Sequence, residues 1–217
     1  MSIVMQIFVI HYAKLVERRK NMVMQLIVNN LDAEFVTQYD RASILETDKM
    51  KFRPGYGDAD KAITLSHLYC FQQVVDRYDY ALILEDDAVF NNQFRIILEK
   101  YMKQLPSDWD MVFIGDGCNL HIPYQMIHAQ GGNIFKKCLD PTPWGGNGAT
   151  RCTDSYLISK KCAAAILSEV AKPGYIIDNT IDWWLNEICR KFQFQVYWAE
   201  PTIVTQGSVN MFQTSRN

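Results

Sequence analysis

No stretch of this chain reaches the ~20 consecutive apolar residues that a transmembrane helix requires, so no membrane span is expected. The opening run from Ile3 to Ile10 has no basic segment before it and reads as a strand rather than a signal peptide. The six cysteines, Cys70, Cys118, Cys138, Cys152, Cys162 and Cys189, include no C-x-x-C pair, which argues against a zinc site. Without a secretion signal, reduced thiols and a cytoplasmic location are the expectation. No basic amphipathic helix advertises a membrane surface, although association with one stays open. The formal net charge of -2 excludes a broad basic face, so nucleic acid is not an expected partner. An anionic ligand must instead be met by a local device such as a metal, a few arginines or a helix N-terminus. The chain also lacks a G-x-S-x-G elbow and a P-loop, which removes the hydrolase reading and weakens a phosphoryl-transfer one. Repeats, low-complexity segments and linkers are absent as well.

What is present is ordinary globular material: 217 residues, 48% apolar and 21% charged, enough for one domain over 1–217. Strand and helix patterns alternate. Apolar runs predict strands over Ile3 to Ile10, Phe35 to Tyr39, Tyr80 to Leu84, Asp110 to Gly115, Ser155 to Ile158 and Gln195 to Val204. Helical spacing predicts helices over Lys14 to Asn30, Asp58 to Tyr78, Asn92 to Gln104, Lys160 to about Ala171 and Ile177 to Phe192. Asp58 or Asp60 is the expected cap of the second helix, and Ser159 that of the fourth. Residues 116 to 150, rich in glycine and proline and including Gly131-Gly132 and Gly145-Gly146, read as a long irregular stretch, a lid or binding loop. The alternation predicts an α/β fold with a mainly parallel, Rossmann-like sheet flanked by helices.

Open sheets of this kind bind ligands beyond the carboxyl ends of their strands. "YALILEDDAVF" sets Glu85, Asp86 and Asp87 at such an end. Three adjacent carboxylates repel one another, and a cation relieves them. Their hard oxygens suit manganese or magnesium, with diphosphate oxygens completing the shell. The alternative is that they cap the next turn and face water.

Four blocks carry a family resemblance. They are "IFVIHYAKLVERRKNM", "ITLSHLYCFQQVV", "ALILEDDAVF", and "TDSYLISKKCAAAIL" followed by "IDWWL" and "EPTIVTQGS". In this order they resemble glycosyltransferase family 25, the lipooligosaccharide and collagen galactosyltransferase-like group. His11 stands where that family usually has asparagine, and residues 116 to 150 align with nothing in it. The resemblance implies a type A glycosyltransferase (GT-A) fold and an inverting, metal-dependent mechanism. It further implies a UDP-sugar donor, galactose first and glucose next, and a glycan or protein hydroxyl as acceptor.

The resemblance also distributes roles. Asp87 is expected to hold the metal and diphosphate, with Glu85 on the ribose or metal side and Asp86 nearby. Gln206 and Ser208 are weaker candidates near the metal. Arg18 and Arg19 follow the first strand, where one can reach the nucleotide or its phosphates; a solvated helix face is the alternative. His11 and Tyr12 end that strand, where a uracil ring can pack. His67 either contacts the donor or anchors its helix; Ser66 beside it does not face it. An inverting transfer needs a base. Asp178 and Asp182, one turn apart at the start of "DNTIDWWL", are the candidates, with Asp182 at the family-like position and helix capping as the alternative. Trp183 and Trp184 offer a sugar platform, although at least one is expected in the core, and Asp116 is a further candidate for sugar or acceptor contact. The rival functions are a non-catalytic nucleotide-sugar or glycan-binding module of the same fold, and a metal-dependent phosphoryl-transfer enzyme.

Overall fold

Strands whose two faces are both apolar need helices on both sides, and this chain supplies them. The computed structural model describes residues 5–117, 119–144, 148–209 and 211–212. Ile3, Cys118 and Gly145-Gly146 lie outside the described residues. The elements run β1 (Gln6–Ile10), α1 (Val16–Val28), β2 (Glu34–Val36), α2 (Glu46–Lys49), α3 (Asp58–Arg77), β3 (Tyr80–Glu85), β4 (Ala88–Phe90) and α4 (Phe94–Met102). They continue with β5 (Met111–Phe113), α5 (Tyr124–Gln130), β6 (Ile134–Lys136), β7 (Ser155–Ser159), α6 (Lys160–Val170), α7 (Ile181–Phe192), β8 (Val196–Ala199), β9 (Val204–Gln206) and a 3₁₀ turn, Gly207–Val209.

Seven strands form one sheet in the order β2-β1-β3-β7-β5-β8-β6. β1 pairs in parallel with β2 and β3, and β5 with β8, while β7 and β6 run against their neighbours. The α/β expectation therefore stands, with a mixed sheet in which β7 is inserted against the common direction. That insertion brings the amino end of β7 beside the carboxyl end of β3, where Leu84 pairs with Ser155 and the Glu85 amide donates to the Asp154 carbonyl at 2.9 Å.

The period of two along the strands builds two cores. Phe8, Ile10, Ile83, Phe113 and Tyr156 join residues of α3, α6 and α7 on one side. Ile7, Val9, Leu82, Leu84 and Leu157 join Met22 and Leu26 of α1 and Phe94 and Leu98 of α4 on the other. The Ser159 hydroxyl does cap α6, accepting from the Cys162 amide at 3.2 Å. Asp58 does not cap α3; it pairs with Lys61 at 2.8 Å, and Gly57 holds the cap position without a side-chain bond.

Two boundaries need correction. The expected final strand is two strands, β8 in the main sheet and β9, which leaves it to pair with β4 just beyond the acidic step. The segment 116–150 is not wholly irregular, since it contains α5 and the edge strand β6. Lys136 pairs with Tyr197 on β8, and the Lys137 ammonium lies over the rings of Trp144 and Trp198, at 4.7 and 5.0 Å. Glycine and proline obscured these short elements by breaking the periodicity on which a strand or helix reading depends.

Gly115 follows β5 where β7 begins. A methyl group there would meet the Asp154 carboxylate and the Ser155 hydroxyl. Gly115→Ala is expected to cost roughly 1–3 kcal/mol, the usual scale of overpacking a buried site, read as a lower urea midpoint with unchanged slope.

Candidate functional site

A cleft of about 470 Å³ opens at the carboxyl ends of β1 and β3. Among the residues proposed from sequence, it brings together His11, Tyr12, Arg18, Ser66, Glu85, Asp86, Asp87, Asp182, Trp183, Gln206 and Ser208. It is not lined by Arg19, His67, Asp116, Asp178, Trp184 or any described residue of 116–150.

The three acids have different surroundings. Asp86 is buried with both oxygens engaged. Oδ1 accepts from the Arg18 guanidinium at 2.8 Å, and Oδ2 lies 2.8 Å from His11 Nδ1 and accepts from the Tyr12 amide at 3.2 Å. Its position on the sequence suggested a ligand contact, but these partners make it the anchor that ties β1 and α1 to the end of β3. His11 and Arg18 are correspondingly committed to Asp86, while His11 Nε2 finds no hydrogen-bond partner among the described residues.

Asp87 is also buried, but its Oδ1 has no hydrogen-bond partner among the described residues. Burial, and then the charge of Glu85, push its carboxyl up to about 6 despite a hydrogen bond from Ser208 and the nearby Arg18. An orphaned, desolvated carboxylate oxygen at the floor of a cleft suits a hard divalent cation. Glu85 is the neighbouring oxygen donor. The described residues contain no group of three or more His, Cys, Asp or Glu side chains placed to hold a metal. A cation here would therefore draw on Asp87 and Glu85 and fill its shell from ligand or water.

Glu85 Oε1 accepts from the Thr153 hydroxyl at 2.7 Å. That same hydroxyl lies 2.8 Å from Asp182 Oδ1, which also accepts from the Thr153 amide at 3.0 Å. Asp182 stands in the first turn of α7, behind the N-cap Thr180. Burial, then Glu85, raise its carboxyl above the usual aspartate range, which increases its basicity.

The remaining candidates lie elsewhere. The helix begins at Ile181 rather than Ile177, so Asp178 precedes it, exposed and outside the cleft. Asp178 and Asp182 thus do not share a helical face. His67 is fully buried, with Nδ1 2.8 Å from the Tyr156 hydroxyl and Nε2 3.6 Å from Glu85 Oε1. Burial depresses its pKa to about 3, so it stays a neutral anchor of α3 behind the acidic step. Arg19 is exposed and stacks on Phe35 at 4.4 Å. Asp116 accepts from the Gln206 amide at 3.3 Å and steadies β9. Trp184 is core, its indole donating to the Tyr175 hydroxyl at 2.9 Å, whereas Trp183 is 49% exposed at the cleft.

Sequence reasoning missed several lining residues. Arg41 lies over the Tyr12 ring at 4.5 Å, and Tyr39, Asp60 and Thr153 join it in the cleft wall. Asp154 is fully buried behind the step, its carboxyl held well above the ordinary range by burial and by Glu85. Thr153 and Asp154 stand in the quoted "TDSYLIS" block; a rule that looks only at carboxyl ends of strands overlooks the amino end of an inserted antiparallel one.

Residues 4–137 match the sequence profile of glycosyltransferase family 25, described as LPS biosynthesis protein. Procollagen galactosyltransferase 2 of Mus musculus is 28% identical over 127 residues, 51% of this chain and 20% of that protein. Inactive glycosyltransferase 25 family member 3 of Mus musculus is 29% identical over 127 residues, 51% of this chain and 22% of that protein. The chain spans about a fifth of the length of the curated relatives it matches. Among solved structures, a glycosyltransferase involved in glycosylation of the major capsid of PBCV-1 is similar at TM-score 0.47 and 9% identity, over 88% of this chain and 76% of that one. A mutant Drosophila β1,4-galactosyltransferase 7 in complex with manganese, UDP-Gal and xylobiose is similar at TM-score 0.46 and 15% identity, over 94% and 71% of the two chains. Both are distant backbone likenesses.

The raised pKa of Asp87 has a consequence for stability. Its folded value, about 6, lies above that of an unfolded aspartate, so the protein loses stability as pH rises from about 4 through 6. Asp87→Asn removes that charge. It is expected to stabilise the metal-free chain by up to about 3 kcal/mol near pH ~8 and by almost nothing near pH ~4, measured by urea unfolding. A gain equal at both pH values would show that charge is not its cause.

Proposed function

The chain belongs to glycosyltransferase family 25, and from that membership we propose that it is an inverting, metal-dependent hexosyltransferase acting in the cytoplasm. The membership brings the type A glycosyltransferase fold, whose α/β frame is the one described above. The donor is a UDP-sugar, galactose first and glucose next, and the acceptor a glycan or protein hydroxyl. No helix among the described residues is long and apolar enough to cross a membrane.

One observation carries this reading: the cleft joins a buried carboxylate with an unsatisfied oxygen, Asp87, to a half-buried carboxylate of raised pKa, Asp182, across Glu85 and Thr153. Asp87, with Glu85, holds the divalent cation, manganese or magnesium, and Gln206 and Ser208 stand at the same wall. When bound, that cation supplies charge neutralisation at the departing diphosphate. Asp182 takes the proton of the acceptor hydroxyl while the acceptor oxygen bonds to the anomeric carbon. The bond from that carbon to the diphosphate breaks, and its electron pair leaves with UDP. Tyr12, Tyr39 and Arg41 form the wall at which the nucleotide packs, and the exposed indole of Trp183 offers the acceptor a surface near the base.

A second reading has a specific observation behind it. Relatives described as inactive match this chain as well as the galactosyltransferase does, at 27–29% identity against 28%. A non-catalytic nucleotide-sugar-binding module would keep Asp87 and the cleft but not turn the donor over. The two readings part on slow hydrolysis of UDP-galactose, with water as acceptor, in the presence of manganese. Catalysis predicts release of UDP and galactose; binding alone predicts none. Asp182→Asn is then expected to bind UDP-galactose about as tightly as the parent and to lose roughly 100-fold or more in turnover, the scale of a general base. An unchanged rate would remove Asp182 from that role.

A further inference from the structure

Thr153 presents one hydroxyl proton to two carboxylates. Its oxygen is 2.7 Å from Glu85 Oε1 and 2.8 Å from Asp182 Oδ1, and the residue is 2% exposed. Two acids this close repel each other, and a hydroxyl between them is the device that holds both in place. The backbone on either side reinforces the arrangement. The Thr153 amide donates to the same Asp182 oxygen at 3.0 Å, and the Thr150 hydroxyl, which donates to Asn186 Oδ1 at 2.6 Å, lies 3.3 Å from the Asp182 carbonyl. The Thr150 amide in turn donates to Asn186, one turn further along α7, at 2.8 Å. The short segment before β7 thus clips the first turn of α7 to the acidic end of β3.

We infer that Thr153 is a positioning residue for the transfer reaction. It fixes Oδ1 of Asp182, leaving Oδ2 to meet the acceptor, and ties that base to Glu85 on the donor side of the cleft. The inference rests on the reading of Asp182 as the base. Among the described residues the Asp182 carboxylate has two hydrogen bonds, both on Oδ1 and both from Thr153, so its aim depends on this residue. Valine has nearly the shape of threonine and keeps the amide bond while removing the hydroxyl, and serine keeps the hydroxyl while removing a methyl group.

The test measures UDP-galactose hydrolysis with manganese, together with calorimetric affinity for UDP and manganese, in the parent and three variants. Thr153→Val is expected to lose on the order of 10–100-fold in kcat, the scale of a misplaced catalytic group, with KM and the UDP affinity within about 3-fold of the parent. Thr153→Ser is expected to recover kcat to within about 3-fold of the parent. Thr153→Ala serves the same comparison if valine unfolds the chain. Parent-like turnover in Thr153→Val, a serine variant as slow as the valine one, or a loss of UDP affinity in step with kcat would each overturn the positioning role. Asp182→Asn, measured alongside, separates the two assignments. If it is inactive while Thr153→Val is not, only Thr153 is misassigned; if it turns over like the parent, the base reading falls and takes the inference with it.

Discussion

The carboxylate of Asp86 is surrounded by Arg18, His11 and the Tyr12 amide, and most of the site depends on that pairing. Three acids in sequence at the end of a buried strand cannot all remain charged without compensation. This chain settles one of them internally. Arg18 reaches back from α1, and His11 sits at the end of β1, so a single side chain joins three elements at the carboxyl edge of the sheet. Removing one member of a buried ionic group leaves the other charges uncompensated, a cost of about 3–5 kcal/mol in comparable cases. The same pairing spends Asp86, while the two flanking acids line the cleft.

Those flanking acids are placed at a cost to the fold. Asp87 is buried with an oxygen that finds no partner among the described residues, and Glu85 and Asp182 lie on either side of one threonine hydroxyl. Asp154 adds a further buried acid behind them. A protein shaped only for stability would neutralise or expose such groups. Their concentration at one edge, with a neutral His67 packed behind, is the pattern expected of a site that a cation and a diphosphate complete. Arg18, 3.8 Å from Asp87, offsets part of the repulsion without satisfying that oxygen.

Much of this was legible in the chain. The apolar strand running straight into Glu85-Asp86-Asp87 located the edge of the sheet, and the order of motifs located the family. The division of labour among the acids was hidden, because it depends on Arg18 and His11 arriving from other elements. Asp178 stood second to Asp182 on the expectation of a longer helix, and the later start of α7 leaves Asp178 outside the cleft. Thr153 was invisible for a topological reason: β7 runs against its neighbours, so the residues before it reach the edge that the strand-end rule assigns to residues after strands. The segment 116–150 read as a lid or binding loop because its glycines and prolines mask α5 and β6; β6 pairs with β8, and none of the segment's described residues lines the cleft.

The central claim is that Asp87 and Glu85 form an incomplete cation site which a nucleotide diphosphate fills. Calorimetric titration of the parent chain with UDP, in manganese and again in chelator, tests it most directly. The account predicts saturable binding of UDP with manganese and a loss of at least about 10-fold in affinity, some 1.4 kcal/mol, when the cation is withheld. Equal affinity in chelator would contradict it, and would place the diphosphate on the protein's own cations instead of on a metal held by these two acids.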